Sequence, residues 1–107
     1  MRTEVPVGPA GDLRAWDAIV QIGHEIIAIE AETRLRDLQA LERRLALKMR
    51  DGGIGVLILL VSATRSNRRI LSVHREALRG LAPLDSREVL GALRRGHAPK
   101  ASGLVIL

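Results

Sequence analysis

Cysteine, phenylalanine and tyrosine are absent from these 107 residues, and the one aromatic side chain is Trp16. Without cysteine there are no disulfides and no thiolate metal sites, which fits a reducing, cytoplasmic setting. Without aromatics the core must be built from Leu, Ile, Val and Ala, and platforms on which bases could stack are essentially missing. A long hydrophobic run is missing too. The longest, "IGVLILLVSA", has about half the length of a membrane-spanning helix, so the chain reads as soluble, with no membrane partner. "MRTEVPVGPAGD" puts an acid and two prolines where a secretory leader needs a continuous apolar stretch. There is no nucleophile elbow and no P-loop. His24, His74 and His97 lack metalloprotease spacing, so acyl transfer and nucleotide hydrolysis have no support.

What is present is one domain's worth of chain, residues 1–107, with its charge unevenly placed. Residues 1–32 carry two basic and six acidic side chains, net −4, and residues 33–107 carry fifteen basic and six acidic, net +9. An acidic segment before a strongly basic body fits a polyanion partner; it equally fits a solvated, arginine-rich surface.

Periodicity gives the order of elements. "RTEVPVG" reads as an edge strand that tolerates Pro6. "RAWDAIVQI", the turn "GH" and "EIIAIEAE" read as a hairpin over residues 14–32. Leu35, Leu38, Leu41, Leu45 and Met49 recur at helical spacing, with Thr33 as N-cap and "DGG" at 51–53 as the stop. "VLILLVS" does not alternate, as in a strand buried on both faces. A second helix is expected from about Asn67 to Gly80 with Ile70, Val73, Ala77, Leu78 and Leu81 inward, closed by Pro83. A third, short helix opens at Asp85 and Glu88, which have capping-box spacing, and "SGLVIL" is a last strand. The expected fold class is α/β: a mixed sheet with an N-terminal antiparallel hairpin, crossover helix, buried strand, two helices and a final strand.

If Gly23 and His24 form the loop, Asp17 lies opposite Glu30 and Ala15 opposite Glu32. Asp17, Glu30 and Glu32 then share one face, with Trp16, Ala18, Val20 and Ile22 on the other. Three neighbouring carboxylates raise one another's pKa unless something positive offsets them. Two candidates present themselves: a divalent cation, Mg²⁺ or Mn²⁺, bound by hard oxygen ligands, or arginines of the next helix, Arg34, Arg36 or Arg43.

Asp17, then Glu30-Ala31-Glu32 on the following strand, then a helix carrying Gln39 and a buried strand, resembles the PD-(D/E)XK, or restriction-endonuclease-like, fold over about residues 2–64. The resemblance implies Asp17 and Glu30 as ligands of Mg²⁺ or Mn²⁺, the Ala31 carbonyl as a third, and Asp17, Glu30 and Glu32 as the catalytic set of a phosphodiesterase. Glu32 stands where that family usually has lysine. Lys48, at the end of the helix, is a replacement candidate, set against its reading as a solvated surface residue, and Gln39 is a supporting one. "GDLRAWDA", "EAETRLRDLQALERR" and "LLVSATRSNRRIL" also look like the C-terminal half of bacterial regulators that join such a domain to an N-terminal helix-turn-helix. By that resemblance the chain is part of a longer DNA-associated protein and is N-terminally short.

"TRSNRR", residues 64–69, follows the buried strand at its carboxyl end, where open α/β sheets place ligands. Arg65, Arg68 and Arg69 at a helix start oppose the helix dipole and could meet phosphate; an arginine-solubilised loop capped by Ser66 or Asn67 is the other reading. Three functional readings result: a nucleic-acid-associated, nuclease-like domain of a DNA-binding regulator with reduced or absent catalysis; an active Mg²⁺-dependent endonuclease; and an interaction module that dimerises through its exposed first strand.

Overall fold

The computed structural model describes residues 1–107. The alternating segments form a hairpin, β2 (Ala15–Ile22) and β3 (Glu25–Glu32), with Ile22 opposite Glu25 as a two-residue loop requires. β1 (Arg2–Pro6) pairs antiparallel with β2. Helix α1 (Leu38–Gly52) crosses over so that the non-alternating run, β4 (Val56–Val61), lies parallel to β3. Helix α2 (Arg65–His74), a 3-10 turn (Arg75–Leu78) and α3 (Ser86–Arg94) lead to β5 (Gly103–Ile106), parallel to β4. The sheet is five-stranded and mixed, in the order β1-β2-β3-β4-β5, the α/β architecture that periodicity predicts.

Both faces of the central strands are buried. On one, Ala28, Leu57, Leu59 and Leu104 pack against Leu38, Leu41 and Leu45 of α1 and Leu71 and Leu78 of α2 and its 3-10 extension. On the other, Ile27, Val56, Ile58 and Val105 meet Leu84 and Val89. Helix α3 comes so near that a Cβ on Gly103 would lie 2.3 Å from Val89 Cγ2, so glycine there is a requirement of packing.

Two helix starts differ from their expected positions, and side-chain capping explains both. α1 begins at Leu38 because the Asp37 carboxylate accepts from the Ala40 N–H, which leaves Thr33 in a loop; Gly53, at φ 66°, closes the helix as expected. α2 begins at Arg65 because Thr64 Oγ1, and neither Ser66 nor Asn67, is the cap, accepting from the Asn67 N–H. Its inner stripe is set by Asn67 and Leu71, which turns Val73 outward at 69% exposure. The capping box of Asp85 and Glu88 forms as read.

Neither sheet edge is a plain ladder. Beyond β5, Leu84 exchanges backbone hydrogen bonds with Ser102 and Leu104, and Ser86 Oγ accepts from the Ile106 N–H. At the other edge, β1 holds Glu4 at φ 52° and Pro6. No helix is long and apolar enough to cross a membrane.

Candidate functional site

Glu30 projects from β3 toward α1. The inward stripe of α1 is Leu38, Leu41, Leu45 and Lys48; Lys48 lies three residues beyond Leu45, a spacing that keeps it on the core side. Its ammonium donates to Glu30 Oε1 and, at 2.7 Å, to the carbonyl of Ala15, and sits 4.6 Å from the centre of the Trp16 ring. The two charged side chains are only 9% and 8% exposed. Lys48 is therefore a buried partner of Glu30, which corrects its reading as a solvated surface residue. Burial pushes the Glu30 carboxyl above its ordinary range against the opposing pull of Lys48, and the nearby Asp17 charge adds to the rise.

Asp17 does come close to Glu30, but its role is local. The β2–β3 ladder ends at Ala18 opposite Ile29, and beyond it Asp17 Oδ2 accepts from the Ala31 N–H at 2.8 Å, where a strand carbonyl would otherwise serve. The β1–β2 ladder also skips Asp17, opposite the left-handed Glu4. The pleat is interrupted at that point, and Trp16 joins Ala28 and Leu45 on the α1 side while Val20 and Ile22 pack on the other. The expectation that Trp16 lies opposite the carboxylates is thereby overturned.

Glu32 goes elsewhere. Its Oε1 accepts from Arg44 of α1 at 2.6 Å, a partly exposed ion pair. The counter-charges to β3 are thus Lys48 and Arg44 instead of Arg34, Arg36 or Arg43, and Gln39 lies exposed in a groove with Arg36 and Val73.

No group of three His, Cys, Asp or Glu side chains is gathered closely enough to hold a metal ion. Lys48 already stands against Glu30 where a cation would sit, one oxygen of Asp17 is committed to the Ala31 N–H, and Glu32 has turned to Arg44. This donor set does not fit a resident Mg²⁺ or Mn²⁺ ion.

The arginines at the carboxyl ends of β3 and β4 form the second charged region. Arg34 and Arg36 lie in the loop before α1, and Arg65, Arg68 and Arg69 in the first turns of α2; all five are exposed. The six ion pairs of the chain use other side chains. Asn67 fixes the two segments side by side. It is 1% exposed; its Nδ2 donates to the carbonyls of Thr33 and Ser62, and its Oδ1 accepts from the Leu35 N–H. Composition gives no sign of this clamp, since an asparagine beside a helix start reads first as a cap. In comparisons with models of protein families, with curated proteins and with solved structures, nothing matches this chain.

Proposed function

We propose that the chain is a nucleic-acid-associated domain, part of a DNA-binding regulator, that meets the phosphate backbone through Arg34, Arg36, Arg65, Arg68 and Arg69, and that its nuclease-like carboxylates serve the fold instead of catalysis. The observation that carries this reading is the set of five exposed guanidiniums without ion-pair partners at the carboxyl ends of β3 and β4. Phosphate contacts made this way are electrostatic and independent of sequence. With Trp16 buried at 2% exposure, no aromatic side chain is offered for bases to stack on, which favours backbone over base recognition.

The test is fluorescence anisotropy on a short duplex over a range of KCl concentrations. Each phosphate that is no longer neutralised lowers the slope of log K against log salt by about 0.9, so Arg65→Ala/Arg68→Ala/Arg69→Ala together should reduce it by about 2.7. An unchanged slope in the triple variant, or no salt-dependent binding by the wild type, sinks the proposal.

A metal-dependent endonuclease is less supported, because Lys48 takes the place beside Glu30 that a cation would need and Glu32 is paired with Arg44. Mn²⁺-dependent relaxation of plasmid by the wild type, lost in Glu30→Ala, would put it first. Dimerisation through β1 is less supported, because Glu4 and Pro6 interrupt the row of donors that an added strand would need.

A further inference from the structure

The side-chain amide of Asn67 holds more than two loops together. Its Nδ2 donates to the Thr33 carbonyl at 2.9 Å, and its Oδ1 accepts from the Leu35 N–H at 2.8 Å. Those two groups belong to the peptide units on either side of the Arg34 Cα. With both planes tied to one planar carboxamide, the two soft dihedrals of Arg34 are set, and with them the direction in which its side chain leaves the backbone. Nδ2 also donates to the Ser62 carbonyl at 3.0 Å, and the Asn67 N–H to Thr64 Oγ1 at the start of α2. The amide that orients Arg34 is thus built into the turn of α2 that carries Arg65 and Arg68.

Other ties on this loop are few. No backbone–backbone hydrogen bond involves residues 33–36. Leu35, 3% exposed, anchors the loop through its side chain, which leaves the orientation of the neighbouring peptide planes to Asn67. An arginine with a free backbone loses that freedom when it meets a phosphate; one whose backbone is preset does not, a difference of roughly tenfold in affinity for one residue.

We propose that Asn67 is a positioning residue for nucleic-acid binding: it presets Arg34 and keeps it in register with Arg65 and Arg68, so that the two segments meet the phosphate backbone as one array. The inference rests on the nucleic-acid reading and adds to it that a buried, uncharged side chain sets how many phosphates are engaged.

The experiment is fluorescence anisotropy over a range of KCl concentrations with the wild type, Asn67→Ala, Arg34→Ala and the double variant, at a temperature where circular dichroism shows each to be folded. Arg34→Ala removes one phosphate contact and should lower the slope of log K against log salt by about 0.9. Asn67→Ala removes no charge, yet it should lower the slope by the same amount and the affinity roughly tenfold, and the double variant should fall no further. Loss of folded protein alone would lower the apparent affinity with the slope intact, and its effect would add to that of Arg34→Ala. In the wild type, which needs no substitution, the ¹⁵N order parameter of the Arg34 amide should lie near the value of about 0.85 typical of rigid backbone. The inference is overturned if Asn67→Ala keeps the wild-type slope, if the two substitutions add, or if the wild-type Arg34 amide has an order parameter below about 0.6. Any of these results beside salt-dependent binding by the wild type removes this inference alone; a wild type that does not bind removes the nucleic-acid reading with it.

Discussion

The positive charge of this chain is used in two contrasting ways on the same side of one sheet. Along α1 and the strands it covers, cations are matched from within: Lys48 with Glu30, Arg44 with Glu32, and Arg14 with Asp12 and Asp51. At the start of α2, Arg65, Arg68 and Arg69 are matched with nothing. Of the six acids in the first 32 residues, α1 thus answers Glu30 and Glu32 and Arg14 answers Asp12, while part of the basic excess gathers beyond α1. Internal matching is how a fold accommodates charge; unmatched charge at one edge is what an external polyanion can use.

The contrast is broken hardest at Lys48. Lys48→Met leaves the buried Glu30 without its cation and should cost about 3–5 kcal/mol at neutral pH by urea denaturation. The loss should shrink as the solution is made acidic, because protonation removes the uncompensated charge. A second change, Glu30→Leu, on top of the first should recover most of the stability, since an apolar pair of similar volume leaves no charge unpaired. If Lys48→Met costs no more than an exposed substitution does, the pair is not buried in solution.

Asn67 joins the matched and unmatched regions, and Asn67→Ala strands the Leu35 N–H and the carbonyls of Thr33 and Ser62. A loss of about 2–3 kcal/mol is expected, with amide exchange quickened first in the Thr33–Asp37 loop. Uniform quickening across the sheet would mean that the clamp holds more than that loop.

The smallest effect sharpens the contrast at its edge. Arg14 holds the Asp12 carboxyl down at about 2, chiefly through a side-chain hydrogen bond. A folded value below the ordinary one means that this contact stabilises above about pH 4, and that the benefit is lost as pH falls toward 2. Melting curves of the wild type and Asp12→Asn should therefore differ near neutrality and converge in acid; a constant difference would assign the effect to something other than charge.

Much of this is legible in the sequence for a definite reason. The hairpin follows from strict alternation around Gly23-His24, the buried β4 from its lack of alternation, and α3 from the reciprocal caps Asp85 and Glu88. Patterns within one element announce themselves. The pairing of Glu30 with Lys48 joins residues 18 apart and that of Asn67 with Leu35 residues 32 apart, and periodicity says nothing about which side chain meets which across a crossover. The one sign of the first pairing is that Lys48 falls on the inward stripe after Leu45. Trp16 escapes the alternation rule because a break at Asp17 is invisible to a rule that assumes an unbroken pleat.

The strand order also bears on how such a chain is made. Because the strands lie in the sheet in the order of their synthesis, each new strand is added at the outer side of the last, and none must be slipped between two already joined. A ribosome delivering the chain from its N-terminus could release β1, β2 and β3 as a finished meander, then α1 as its cover, before β4 exists. Assembly and translation run in the same direction, and a late pause would leave a smaller sheet with one open side instead of a gap in its middle.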